Sequence, residues 1–264
     1  MKISVVIPTH NRPQYLEESL RSVLNQSLSP YEVLVVNNGD NKVKLPSDMD
    51  TVKIIDIEPH AGAAKARNAG AALAAGDFVA FIDDDDLWHK DYLKNVSNAI
   101  SRGAKCMISR LDKLQNDKVV PYKNAHNKLS QDAILVYNPG ITGSNIVISK
   151  DLFKQVGGFD AKLPPSEDKS LILELLMKNI KVVTLPDNQA IIREHGAERL
   201  TDAGKMAKGI FEFTKKYGSI MNTKQKIANW LKIYRYRYEA GNKFALAPFA
   251  TLYTLTRVMK LLRI

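Results

Sequence analysis

Four consecutive aspartates, Asp83, Asp84, Asp85 and Asp86, directly follow the apolar run 78–82. Like charges this close raise one another's proton affinity or recruit a cation. Hard oxygen ligands select Mg²⁺ or Mn²⁺, ions that keep positions open for phosphate oxygens. A blander reading is available, because Asp caps helices and a helix is expected over 87–99. One capping Asp is common, and a run of four exceeds what a cap requires. A second acidic group, Ser166-Glu167-Asp168, precedes a helix expected over 169–178. Its spacing alone fits a cap and a general base equally.

The elements that must position these groups read as an α/β alternation. Residues 3–8 form an apolar, β-branched run stopped by proline, and a strand is expected there. Residues 14–26 carry Leu16, Leu20, Val23 and Leu24 on one helical face. Strands follow at 32–36, 52–57 and 78–82, with an Ala-rich helix at 63–75 that Gly76 would close. Such alternation implies right-handed crossovers and a mainly parallel twisted sheet flanked by helices. Ligands of these sheets gather beyond the carboxyl ends of the strands. The polar clusters 9–12, 37–40, 60–64 and 83–86 all stand at strand ends, so they converge on one rim. Farther on, 113–128 is expected to be a polar loop, 138–148 a turn and strand, 157–160 a turn, and 181–185 a strand. From about residue 201 the chain reads as helical.

Charge divides the chain in two. Residues 1–204 hold 25 Lys and Arg against 26 Asp and Glu, a net of −1, and residues 205–264 hold 13 against 2, a net of +11. The expected units are therefore a catalytic domain at 1–200 and a basic helical tail at 201–264. The single cysteine, Cys106, allows no intrachain disulfide and suits a reducing compartment. The start MKISVVIPTHNR does not read as a signal peptide, and no uncharged apolar stretch reaches the ~18 residues of a membrane span. A cytoplasmic protein is expected.

These motifs together resemble a family. The run Ser4-Val5-Val6-Ile7-Pro8-Thr9-His10-Asn11-Arg12, then 32–39, Ala66-Arg67-Asn68-Ala69-Gly70, 81–88, Gly157-Gly158-Phe159-Asp160 and Glu167-Asp168 stand in one order. They are similar to those of family 2 inverting glycosyltransferases of the GT-A fold, of the bacterial polysaccharide-assembly type, over about residues 3–200. The resemblance implies transfer of a hexosyl unit from a nucleoside-diphosphate sugar, with Mn²⁺ or Mg²⁺ as cofactor, to a saccharide or lipid-linked acceptor. Pro8 and Thr9 match the position that touches the nucleoside base, and Arg67 matches an arginine that holds the nucleotide. Asp83, Asp84 and Asp85 match the Asp-X-Asp motif, whose first Asp meets the nucleoside and whose last binds the metal; the register 84–86 stays open. Asp168 matches the catalytic base, and His195 a histidine that completes the metal site in parts of the family. Residues 142–145 and 157–160 are expected on the sugar and acceptor side. One position departs: the family's base-recognising Asp after the second strand is Asn37 here. An amide adds donors to the acceptor a uracil N–H needs, so a UDP donor is less firmly implied.

In the tail, Ile227, Trp230, Leu231, Tyr234 and Tyr238 share one helical face. Residues 244–256 are uncharged, and Arg257, Lys260 and Arg263 follow. This suits an interfacial helix on an anionic leaflet, or a contact with the catalytic domain or a second subunit. Nucleic acid is not expected as a partner, because the body is neutral and its rim acidic. A nucleotidyltransferase would show a Gly-rich phosphate loop where His10-Asn11-Arg12-Pro13 stands. An inactive sugar-nucleotide binder would not need Asp83, Asp85 and Asp168 all in place.

Overall fold

The computed structural model describes residues 1–122, 129–193 and 202–261. Among them one sheet of nine strands forms the centre. Strands β1 (Ile3–Thr9), β2 (Glu32–Asn37), β3 (Lys53–Asp56) and β4 (Phe78–Phe81) are mutually parallel, in the order β3-β2-β1-β4. The sheet continues through β8 (Ile146–Ser149), β6 (Cys106–Gln115), β9 (Val183–Arg193) and β5 (Leu87–Trp88), where antiparallel pairs enter; β7 (Lys118–Pro121) pairs with β6.

The side-chain alternation of a strand builds two cores from one sheet. Val5, Ile7, Val33 and Val35 enter one layer with Leu16, Leu20 and Val23 of α1 (Pro13–Leu24) and Leu93 and Val96 of α3 (Tyr92–Ser101). Val6, Leu34 and Val36 enter the other, under α2 (Ala63–Leu73), α5 (Lys150–Gln155) and α6 (Glu167–Met177). A Cβ on Gly70 would run into Val6 and Val36, so glycine is what lets α2 lie close on the sheet. Gly76 is not the cap of α2, which ends at Leu73; it sits where a Cβ would meet Ser4 and the carbonyl of Lys2.

Three expectations change. The helix expected from residue 87 begins at Tyr92, because Leu87 and Trp88 pair with Ile191 and Ala190 as β5. Of the polar stretch 113–128 expected to be a loop, residues 113–115 end β6 and 118–121 form its hairpin partner β7, exposed and so hidden by their polarity, while 123–128 lie outside the described residues. In α8 (Thr223–Glu239) the buried residues are Gln225, Asn229 and Ile233, not the apolar stripe. Asn229 Nδ2 donates to the Leu135 carbonyl (2.8 Å), and Lys232 Nζ bonds the Val136 carbonyl, at the open C-terminal end of α4 (Gln131–Val136). Trp230 of the stripe packs edge-to-face on Phe211 of α7 (Ala203–Tyr217), with ring centroids 5.9 Å apart. α7 itself sends Phe213 and Tyr217 into the core beneath α6. The expected boundary near 200 falls in 194–201, outside the described residues. No helix among the described residues is long and apolar enough to cross a membrane.

Candidate functional site

The four polar clusters do meet at the carboxyl ends of β1 to β4. The aspartates cap no helix: they lie in the turn between β4 and β5, and α3 starts beyond them with Asp91 at its N-cap. Alternate side chains of the run point in opposite senses. Asp84 and Asp86 are buried; Asp83 and Asp85 stay partly open on the rim.

The inner pair is fully engaged. Thr9 Oγ1 donates to Asp84 Oδ2 (2.7 Å), and the His10 amide reaches the same oxygen (3.3 Å). Burial, then the adjacent Asp85 charge, pushes the Asp84 carboxyl up to about 7. Asp86 takes the Ser144 hydroxyl and the Arg193 amide (2.9 Å), and burial raises it well above the carboxylate range. The outer pair faces arginine. Arg12 Nη1 lies 2.5 Å from Asp85 Oδ2, and Arg67 Nη2 lies 2.5 Å from Asp83 Oδ1.

Arg67 is the hub. It projects from α2, is 3% exposed, and meets Glu167 through Nη1 (3.4 Å) while holding Asp83. Asp168 lies within its field as well. Burial works against its charge, and the carboxylates of Asp83, Asp168 and Glu167 outweigh it, so the guanidinium stays protonated. Glu167 and Asp168 occupy the first turn of α6, where the helix end favours anions; the N-cap, Ser166, makes no side-chain cap bond. Burial first, then the Glu167 charge, lifts Asp168 well above the usual range, and Arg67 opposes them. Next to it Lys169 is buried with Nζ 3.6 Å from the Phe213 ring centroid, and burial lowers it to about 7.

Residues 143–144 pack against the aspartate run and Arg67. Ser144 Oγ also accepts from the Asp83 amide (3.0 Å), and its carbonyl accepts from the Trp88 indole (2.8 Å). A Cβ on Gly143 would overlap the Arg67 guanidinium. Asn68, beside Arg67, exchanges two hydrogen bonds with Phe159, at 2.8 and 2.9 Å, which fastens the Gly157–Asp160 turn to α2. That turn lines a pocket of about 510 Å³ with Ser170, Glu174 and Lys216.

The expected site residues are thus distributed as follows. Pro8 and Thr9 end β1 and are buried; Asp83, Asp85, Arg67 and Asp168 come together; Asp84 turns inward beneath them. Asn37 lies at the same rim with its amide engaged: Nδ2 donates to the Asn41 carbonyl (2.9 Å) and Asp56 (2.8 Å), and Oδ1 accepts from Gly39 (3.0 Å). His195 lies outside the described residues. Sequence reasoning gave no role to Arg12 or Arg193, and it expected Gly143 on the sugar and acceptor side within 142–145 without its contact with Arg67. Arg12 stood in a rim cluster already recognised, whereas Arg193 reaches the site through β9, which pairs with β5 and β6, and Gly143 through the segment that leads into β8.

A model of the family described as "Glycosyl transferase family 2" matches residues 4–157. The chain belongs to this family. Within it, an uncharacterized glycosyltransferase of Haemophilus influenzae is 28% identical over 188 residues, covering 67% of this chain and 62% of that relative. The Escherichia coli UDP-Glc:alpha-D-GlcNAc-diphosphoundecaprenol beta-1,3-glucosyltransferase WfgD is 29% identical over 182 residues, 67% of this chain and 70% of its own length. A crystal structure of S. aureus TarS in complex with UDP-GlcNAc superposes with a TM-score of 0.64 at 17% identity, over 90% of this chain and 72% of the other. That likeness is one of fold, GT-A.

Proposed function

We propose that this family 2 chain moves a hexosyl unit from a nucleoside-diphosphate sugar to a hydroxyl of a saccharide or lipid-linked acceptor, with inversion and with Asp168 as general base. The observation that carries the reading is the Arg67 hub, which ties the outward aspartate of the run to the acidic start of α6. One arginine thereby fixes the spacing between a donor-binding carboxylate and a base.

The donor would lie on the rim, its nucleoside toward Pro8, Thr9 and Asp83. The acceptor hydroxyl gives its proton to Asp168 as its oxygen attacks the anomeric carbon, and the bond to the diphosphate breaks on the opposite face. The raised proton affinity of Asp168 makes it a stronger base than an exposed carboxylate. A UDP-sugar is favoured, because WfgD is named for UDP-Glc and TarS was crystallised with UDP-GlcNAc. The diphosphoundecaprenol in the WfgD name likewise favours a lipid-linked acceptor.

The residues present suit a hard divalent cation. Asp83 and Asp85 present carboxylate oxygens at the rim, and a divalent ion there would also favour ionisation of the buried carboxyls beside it. Asp85 would hold Mn²⁺ or Mg²⁺ with His195, and Arg12 would have to yield its place on Asp85. Such an ion offsets charge that builds on a departing diphosphate.

A panel of nucleotide sugars scored for turnover with Mn²⁺, with Mg²⁺ and in EDTA tests the reading. Asp168→Asn should bind donor and lose transfer by at least a hundredfold. Undiminished turnover in that variant would remove the base, and full activity in EDTA would remove the cation.

For the tail we propose contact with an anionic membrane surface through α9 (Leu246–Leu261), with a dimer contact as the other outcome. Phe244 is 93% exposed, Leu246 and Tyr253 are exposed beside it, and Arg257 stacks its guanidinium toward Tyr253 at 5.5 Å. Flotation with anionic liposomes, with and without residues 243–264, separates the two: loss of flotation on truncation supports the membrane, and a shift to monomer without it supports the dimer. The protein would then work at the inner face of the cytoplasmic membrane.

A further inference from the structure

On the same rim, on the far side of Thr9 from the aspartates, His10, Asp40 and His60 converge from three different loops. They follow β1, β2 and β3 respectively. One ring nitrogen of each histidine and one carboxylate oxygen of Asp40 lie within 4.8 Å of one another. The two rings stand 4.9 Å apart and tilted by 58°, and His60 Nε2 is 2.9 Å from Asp40 Oδ1.

The residues around this triad hold it in place. Asn11 clamps Asp40 from both ends: its Nδ2 donates to Asp40 Oδ2 (2.7 Å), and its Oδ1 accepts from the Asp40 amide (3.1 Å). His10 Nδ1 is 2.9 Å from the Asn38 carbonyl, which can only accept, so the neutral ring keeps its lone pair on Nε2. The same carbonyl takes the His60 amide (2.8 Å). Two members of the group, Asn11 (φ 55°) and His60 (φ 59°), hold the left-handed backbone that side chains rarely adopt. Outer partners that fix ring plane and tautomer are what metal-ligating histidines carry. Such local strain gathers at sites where geometry is over-determined.

We propose that His10, Asp40 and His60 form a second cation site, for a borderline divalent transition ion such as Zn²⁺, separate from the site proposed at Asp85. Two imidazoles and one carboxylate match Zn²⁺, Co²⁺ or Ni²⁺ and give Mg²⁺ little. A tetrahedral Zn²⁺ with bonds of about 2.0–2.1 Å places its ligand atoms roughly 3.3 Å apart. The side chains, with Asp40 and His60 exposed, therefore close by about an ångström around the ion, with the His60–Asp40 hydrogen bond replaced by two bonds to metal. One coordination position is left for water or a ligand. The ion would fasten the loops after β1, β2 and β3 together along the nucleoside end of the rim. The assignment is independent of the transfer reaction.

The test uses the full-length, untagged, metal-stripped chain titrated with Co²⁺, read by its visible ligand-field absorption. The expected result is an equimolar band of a four-coordinate nitrogen–oxygen site that Zn²⁺ abolishes and excess Mg²⁺ leaves intact. His60→Ala and His10→Ala should each lose the band, and Asp85→Asn should keep it. His60→Gln, which keeps the polarity of this exposed position, guards against misfolding and should also lose it. No band in the wild-type chain, a band that survives the histidine variants, or a band lost with Asp85→Asn would each overturn the proposal.

Discussion

The Arg67 guanidinium occupies the space that a side chain on residue 143 would fill. Gly143 has no special backbone demand, so its role is to make room. Gly143→Ala should push Arg67 off Asp83 and Glu167 at a cost of ~1–3 kcal/mol in stability. Donor affinity should fall by tenfold or more, measured by titration with a nucleotide sugar. Unchanged affinity in a folded variant would show that Arg67 does not organise the donor site.

Asn37 explains its own departure from the family. Its amide protons face two acceptors, the Asn41 carbonyl and Asp56. Asn37→Asp would set a carboxylate against both. Stability at neutral pH should drop by ~1–3 kcal/mol, with recovery in mild acid as one of the two carboxyls protonates. Urea unfolding at two pH values measures it; a variant as stable as wild type at neutral pH would rule out this account of the amide.

Asp84 makes the fold pH-sensitive in an unusual direction. Its carboxyl titrates at about 7 when folded, against an ordinary 3.8. Between those values the folded chain keeps a proton that the unfolded chain has lost, so this group's contribution to stability falls as pH rises from about 4 to about 7 and then levels off. Asp84→Asn removes that slope while leaving an oxygen for Thr9 and His10. The stability gap between variant and wild type should widen in the variant's favour from pH 4.5 to pH 8, by a few kcal/mol at about 1.4 kcal/mol per pH unit. A gap that does not change with pH would contradict the shift.

Strand runs rich in Val and Ile, together with the polar residues that end them, make the rim legible in the sequence. Sheet cores are apolar on both faces, and their ends must turn. What the sequence hid has one physical origin: a residue's character reports its environment, and several environments here are atypical. β7 is exposed and so reads as loop. Gln225 and Asn229 of α8 are buried yet polar, because Gln225 Nε2 donates to the Asp132 carboxylate and Asn229 Nδ2 to the Leu135 carbonyl. The division of labour inside Asp83–Asp86 was open to sequence, since four identical residues carry no sign of which way each one points. Thr9, Ser144 and Arg193 decide that, and only the fold brings them together.

The paired bonds between Asn68 and Phe159 have a practical consequence for hybrid enzymes. They join residues 91 positions apart in the chain. Any chimera cut between them takes the helix from one parent and the turn from the other. Such a hybrid keeps its two halves in register only if both parents carry the same amide and the same glycine-bearing turn. A junction placed after residue 160 keeps the pair within one parent and leaves α6 with its carboxylates to be exchanged.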